Sequence, residues 1–256
     1  MNRTELDLIS NAGAQKCADS SVSPARYLTR AAIAGAFIFV AALLSCLCSA
    51  WFYVDAPAIA KLLGAATFSA ALILIVLLGG ELFTGTNFVM SISLYDRAAT
   101  PLGTLRVWLF CYAGNFVGVL IFCVLLVGSG ACREMLSSYL ALAIPGKLAA
   151  PWYAILLKGV LCNFLVCVGV YAGFKLKSEG GKIVVILLAV TTFVLAGFEH
   201  SVANMAFFTL YTFLVPGADL IAIGHNMLWS TLGNIIGGAV LLGLPLWFCG
   251  TPRLKK

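Results

Sequence analysis

Two ionisable side chains stand next to each other in the middle of a long apolar stretch of this sequence. Glu199 and His200 are the only Asp, Glu, Lys, Arg or His residues between Lys182 and Asp219. Charged groups at mid-membrane cost several kcal/mol, so such residues must be paired or must line a wet path. A histidine changes charge near neutral pH, which suits transient contact with an anion or a proton.

A second polar interruption lies in the first half of the chain. Glu81 interrupts the otherwise uncharged run 62–95, inside the glycine-containing segment 79–87. Polar, glycine-containing interruptions at corresponding places in two halves of a membrane chain are typical of the binding site of a transporter or channel.

The elements that carry these residues are membrane spans. The chain has 256 residues, of which 62% are hydrophobic and 10% charged, which indicates an all-α polytopic membrane protein. A span needs about 20 apolar residues. The second and fifth stretches are too long for one helix, which predicts two broken helices, each with its ionisable residue near the break. The six apolar stretches are about 31–54, 62–95, 107–128, 148–174, 183–218 and 220–248.

An internal repeat relates the two halves. A Gly-Asn-x-x-Gly motif at 114–118 recurs 119 positions later at 233–237, and Glu199 follows Glu81 by 118 positions. Each unit has three spans, so the second copy enters the membrane from the opposite side as an inverted repeat. The predicted units are residues 31–128 and 151–248.

The distribution of Lys and Arg predicts the orientation. With six spans, twelve of the sixteen basic residues fall on the side that holds both termini. This distribution predicts a protein of the cytoplasmic membrane with both termini in the cytoplasm. We expect residues 1–30 to form a cytoplasmic segment, 31–250 the channel domain and 251–256 a cytoplasmic tail. Within the first segment, residues 4–17 are predicted as an amphipathic helix at the membrane surface, capped by Thr4 with Asp7.

Several other functions are disfavoured. Six of the nine cysteines fall within spans, and Cys46 and Cys48 do not share a helix face, so neither a metal site nor a cofactor is predicted. The basic residues form no cluster on a soluble domain, which argues against nucleic acid binding. A zinc protease needs His-Glu-x-x-His, whereas here the order is reversed, so no enzyme is predicted. None of the eight prolines follows an asparagine, which disfavours a water channel with Asn-Pro-Ala motifs.

Four motifs together resemble the formate/nitrite transporter family, and the resemblance runs from about residue 25 to 250. They are Glu-Leu-Phe-Thr-Gly at 81–85, Lys-Gly-Val-Leu-Cys-Asn-Phe-Leu-Val-Cys at 158–167, Gly-Phe-Glu-His-Ser-Val-Ala-Asn-Met at 197–205 and Gly-Asn-Ile-Ile-Gly-Gly at 233–238. The second of these looks closer to the nitrite and hydrosulfide branches than to the formate channels. The resemblance implies an aquaporin-like protomer of six helices, with helices 2 and 5 broken, in a homopentamer with one pore per protomer.

The same resemblance implies roles for particular residues. His200 is expected as the central pore residue, with Thr84 facing it and Asn163 and Asn204 nearby. The two apolar constrictions are expected at Phe68, Leu72, Leu82 and Phe193. Lys158 is expected to concentrate anions in the outer vestibule, and Glu81 and Glu199 to stay out of the pore, bound to backbone N–H groups or a cation.

The predicted permeants are small monovalent anions: nitrite, hydrosulfide and formate. Half-helices that start after the breaks aim N–H groups and positive dipole ends at the midplane, which favours an anion without trapping it. Two alternatives stay open from the sequence: a proton-coupled carrier of the same anions, and a pore for a neutral solute.

Overall fold

The structure is a computed structural model that describes residues 2–250, and this part of the chain is helical without β-strands. The predicted tail 251–256 lies outside the described residues. The first half consists of α1 (Arg3–Val22), α2 (Pro24–Ala50), α3 (Pro57–Phe68), α4 (Ala70–Leu78), α5 (Phe83–Tyr95) and α6 (Pro101–Ser129). The second half consists of α7 (Arg133–Ala143), α8 (Pro145–Leu148), α9 (Trp152–Lys175), α10 (Glu179–Leu195), α11 (Ser201–Leu214), α12 (Leu220–Ile236), a π-helical segment (Gly237–Gly243) and α13 (Leu244–Phe248).

Both predicted helix breaks are present. Gly79, with φ +85°, ends α4, and Gly197, with φ +68°, follows α10. Residues with a Cβ rarely adopt this left-handed region, so glycine lets the helix end within the membrane-spanning part of the chain. The chain then starts a new half-helix at Phe83 in one half and at Ser201 in the other.

The two halves pack in the same way, as expected for a repeat. In each half the third span lies against the first through its Gly-Asn-x-x-Gly motif. A Cβ added to Gly118 on α6 would lie 1.9 Å from the carbonyl oxygen of Ala32 on α2. A Cβ added to Gly237 would lie 2.2 Å from the carbonyl oxygen of Val160 on α9. The motif therefore works as small-residue packing that brings backbones together.

Five helical stretches within residues 2–250 are long and apolar enough to cross a membrane: Pro24–Ala50, Pro57–Leu78, Pro101–Ser129, Trp152–Lys175 and Leu220–Phe248. The remaining span is made by α10 and the half-helix α11. In the last stretch the π-helical segment was not predicted. Its cause lies in the sequence, because Pro245 cannot donate to the carbonyl four residues earlier and glycines 237 and 238 fit tightly against α9.

The N-terminal helix differs from its prediction in length, cap and position. It runs over Arg3–Val22 and its capping box is formed by Asn2 and Glu5, instead of Thr4 and Asp7. Its apolar side chains Leu6 and Ile9 are buried against the protein, where α1 packs on α5. The apolar stripe of α1 therefore covers one end of the helical bundle. Leu6, in the first turns of α1, lies beside Gly250, so both described ends of the chain lie on the same face.

Candidate functional site

A cavity of about 380 Å³ opens on the face that carries α7 and α8, and we call it the α7-side vestibule. Three lysines line it: Lys61, Lys147 and Lys158. Its floor is formed by the rings of Phe68 and Phe193, which meet edge to face with centroids 6.3 Å apart. The cavity therefore combines positive charge at the wall with an apolar floor.

A second cavity of about 270 Å³ opens on the opposite face, beside α1, and we call it the α1-side vestibule. Lys16 of α1 and Thr86 of α5 contribute its polar groups, and Leu72 and Leu82 are among its apolar lining. Each vestibule thus contains at least one lysine and two of the four residues expected at the constrictions.

Between the vestibules lies a small chamber of about 10 Å³. All four expected constriction residues line it: Phe68 and Phe193 toward the α7 side, and Leu72 and Leu82 toward the α1 side. His200 is the polar residue in its wall. A cavity of this size holds about one water molecule, so a larger permeant requires these side chains to move.

The position of His200 follows from the break. It is the N-cap residue of α11, where its Nδ1 accepts a hydrogen bond from the backbone N–H of Ala203 at 2.9 Å. Its Nε2 lies 2.9 Å from the hydroxyl of Thr84, and its ring stacks on Phe193. Because Nδ1 accepts, a neutral imidazole carries its proton on Nε2 and presents a hydrogen-bond donor to Thr84 and the chamber.

The polar residues expected near His200 occupy different places. Thr84 is fully buried and reaches the chamber through its contact with the imidazole. Asn163 lies behind the wall, where its amide donates to the carbonyl oxygens of Thr84 and Asn234. Asn204 lines the α7-side vestibule and donates to the carboxylate of Glu199 at 2.7 Å. Asn163 therefore acts on the site through the backbone of α5.

Both intramembrane glutamates are paired with basic side chains. Glu199 is 1% exposed, and its Oε2 lies 2.8 Å from Nζ of Lys147. Glu81 is 3% exposed and forms ion pairs with Lys16 and Arg30. These pairs offset the cost of holding a carboxylate in apolar surroundings.

Lys16 and Lys147 were missed by the sequence reasoning. They come from helical segments, α1 and α7–α8, that each precede the first span of a repeat. The available signal was charge complementarity. Two buried carboxylates at equivalent positions need two cations, and each repeat is preceded by a segment that contains a lysine. Lys158, which was predicted, lines the α7-side vestibule, and its carbonyl oxygen accepts from the N–H of Glu199.

Known proteins are similar to this chain in sequence and in architecture. The nitrite transporter NirC of Escherichia coli is 34% identical over 207 residues, which cover 78% of this chain and 75% of NirC. A solved structure described as an FNT family ion channel superposes with a TM-score of 0.89 at 29% identity, covering 97% of this chain and 99% of that one. A pentameric formate channel with formate bound gives a TM-score of 0.76 at 28% identity, over 87% and 96% of the two chains. The sequence profile of the family described as formate/nitrite transporter matches residues 4–248, and the chain belongs to this family.

Proposed function

We propose that each protomer conducts small monovalent anions, namely nitrite, hydrosulfide and formate, past His200 between two apolar constrictions. The observation that carries this proposal is the arrangement of the cavities. Two lysine-containing vestibules approach one another from opposite faces and are separated by a single chamber that His200 lines.

The electrostatics of this path favour anions. Lys61 and Lys158, which have no ion-pair partner in the described part of the chain, raise the local concentration of anions in the α7-side vestibule, and salt screens this effect. The charges of Lys16 and Lys147 are balanced by Glu81 and Glu199. Both half-helices begin beside the chamber, so their N-terminal N–H groups and dipoles place partial positive charge there. Since the carboxylates of Glu81 and Glu199 are held in ion pairs, they do not offset this field with free negative charge.

His200 supplies the hydrogen-bond donor at the narrowest point. Its Nε2–H points to the hydroxyl of Thr84, and an anion that enters the chamber takes this donor as its hydration shell is lost. Phe68, Leu72, Leu82 and Phe193 limit the size of the permeant and expel water. Lys158 acts as one of the lysines that attract anions at the α7 side.

The direct test is flux into proteoliposomes that contain the purified protein. We expect nitrite, hydrosulfide and formate to cross faster than in empty liposomes, while the neutral solutes glycerol and urea do not. Faster flux of the neutral solutes than of the anions would overturn the proposal in favour of a neutral-solute pore.

A proton-coupled carrier of the same anions is the second candidate. The chamber is closed toward both vestibules by side chains, which is the arrangement that an occluded carrier intermediate also needs. The two mechanisms differ in whether a proton gradient drives accumulation. A one-to-one proton–formate carrier speeds formate uptake into liposomes that are alkaline inside and does not respond to a membrane potential. A channel carries the bare anion, so its formate flux responds to the membrane potential.

We further propose a homopentamer in the cytoplasmic membrane with both termini in the cytoplasm. The pentameric state is supported by the likeness to the pentameric formate channel. The orientation is supported by the excess of basic residues on the face that carries α1 and the C-terminal helix. Cross-linking of the detergent-solubilised protein tests the first point, and accessibility of Cys249 to a membrane-impermeant thiol reagent tests the second.

A further inference from the structure

We infer that Asn115 and Asn234 are a matched pair of positioning residues, and that each fixes the backbone on either side of one pore-lining side chain. Asn115 holds Leu82, and Asn234 holds His200. The transport readouts of this inference rest on the proposed function, and an exchange measurement on the unmodified protein does not.

Asn115 makes three hydrogen bonds through its side-chain amide, two of them to the first helix break. It is fully buried on α6, and its Oδ1 accepts from the N–H of Phe83 at 2.9 Å. Its Nδ2 donates to the carbonyl oxygens of Glu81 and Ala31, each at 2.8 Å. The two break contacts, to Glu81 and Phe83, flank a single residue, Leu82.

Asn234 makes the same three contacts in the second half. It is also fully buried, on α12, and its Oδ1 accepts from the N–H of Ser201 at 2.8 Å. Its Nδ2 donates to the carbonyl oxygen of Glu199 at 2.8 Å and to that of Gly159 at 2.9 Å. The residue between the two break contacts is His200.

The contacts satisfy groups that the break leaves without helical partners. The first N–H groups of a half-helix have no intrahelical acceptor, and in apolar surroundings an unpaired backbone group is costly. Because the third contact reaches the first span of the same repeat, each asparagine ties a break to two full-length helices. The N–H groups of Glu81 and Glu199 donate to the carbonyl oxygens of Arg30 and Lys158 on the same two spans.

Among side chains of the length of asparagine, only an amide can accept one hydrogen bond and donate two in this way. It offers one acceptor and two donors in one plane, whereas a carboxylate lacks the donors and a leucine lacks both. The repeat therefore keeps the same asparagine in both halves while the residue that it brackets has diverged. One half presents Leu82 to the constriction and the other presents His200.

The inference predicts separable effects in liposomes. Asn115→Ser is expected to raise the ratio of acetate to formate flux about tenfold, a discrimination typical of one methylene in an apolar site. Leu82→Ala raises the same ratio, and the double variant is expected to add little to it. Asn234→Ser is expected to leave this ratio near wild type and to flatten the pH dependence of formate flux as His200→Asn does, again without further change in the double variant.

A matched control separates positioning from stability. Ser93 is fully buried and donates to backbone carbonyl oxygens away from both breaks, so Ser93→Ala removes a buried hydrogen bond without touching the pore. Ser93→Ala is expected to change neither the ratio of acetate to formate flux nor the pH dependence of formate flux. If assembled Asn115→Ser and Asn234→Ser behave like this control, or if each variant shifts both readouts equally, the inference is wrong.

Amide hydrogen exchange on the wild-type protein tests the inference even if no asparagine variant assembles or no anion is carried. The amides of Phe83 and Ser201 are expected to exchange at least about tenfold more slowly than those of Leu82 and His200, as one buried hydrogen bond provides. Equal exchange at all four amides would overturn it. If wild-type liposomes carry no anion while this protection is found, the proposed function fails and the positioning role stands.

Discussion

Replacing Lys147 with methionine removes the cation that pairs with Glu199 while keeping most of the volume of the side chain. The Glu199 side chain is 2% exposed and that of Lys147 is 28% exposed. The two partners therefore differ in what they can do once the pair is broken. A lone Lys147 turns toward water in the vestibule, whereas a lone Glu199 carboxylate stays buried.

The expected costs follow from this asymmetry. Lys147→Met leaves an uncompensated buried charge, which costs about 3–5 kcal/mol of folding stability. Glu199→Gln leaves Lys147 in contact with water and keeps an acceptor for Asn204, so it loses about 1.5–3 kcal/mol, the range for a hydrogen bond to a charged group. The double variant has no buried charge at this position and is expected to be more stable than Lys147→Met alone.

The assay is thermal unfolding of the purified, detergent-solubilised protein, with the yield of assembled protein from size-exclusion chromatography. Lys61→Met is the matched control, because Lys61 lines the same vestibule and is not an ion-pair partner of Glu199. The reasoning is refuted if Lys147→Met unfolds at the same temperature as Lys61→Met, or if Glu199→Gln is the more damaging change. Assembled Glu199→Gln is expected to keep the anion preference of the wild type, and altered anion/cation selectivity would show that Glu199 faces the permeant.

Two further changes test the constrictions and the packing. Leu82→Ala or Phe193→Ala enlarges a chamber of about 10 Å³, so permeation by acetate and lactate should rise relative to formate in liposome flux assays. An unchanged size cutoff in both variants would place the constriction elsewhere. Gly118→Ala puts a Cβ 1.9 Å from the carbonyl oxygen of Ala32 and should reduce assembly yield and thermal stability. Gly128→Ala on the same helix is the control, because its Cβ meets nothing within 4 Å and neither quantity should fall. Equal behaviour of the two variants would argue against close α2–α6 packing.

Much of the fold was predictable because it depends on local patterns. Stretch lengths gave the spans, and the repeat of glutamate and of Gly-Asn-x-x-Gly gave the inverted halves with breaks near Glu81 and Glu199. The breaks themselves follow from glycine, since Gly79 and Gly197 adopt positive φ. What local patterns do not contain is partner choice. The pairing of Lys16 with Glu81 and of Lys147 with Glu199 joins residues more than 50 positions apart.

The candidate site was predictable to a smaller extent. The resemblance to a family named His200 and the four apolar residues that the structure brings around one chamber. It also named Asn163, whose contacts lie behind the wall, because an asparagine in a span gives no sign of the direction in which it points. The tautomer of His200 depends on the hydrogen bond from the N–H of Ala203. That bond follows from the N-cap position of His200, which the sequence pattern alone did not predict.

The central claim is that His200 donates to the permeating anion, and the measurement that tests it most directly is formate flux against pH for His200→Asn and wild type. Asparagine at this N-cap can still accept from the N–H of Ala203, so the fold and a pore should be retained. It is too short to place a donor where Nε2 lies beside Thr84. His225→Asn, a change at the only other histidine in the chain, is the matched control.

We expect wild-type flux to depend on pH between about 5 and 8, because an anion in the chamber favours protonation of the neutral His200 ring beside it, and we expect His200→Asn to lose most of that dependence while it still conducts. The control should follow the wild-type profile. Superimposable pH profiles for wild type and His200→Asn would contradict the account and reduce His200 to a helix cap.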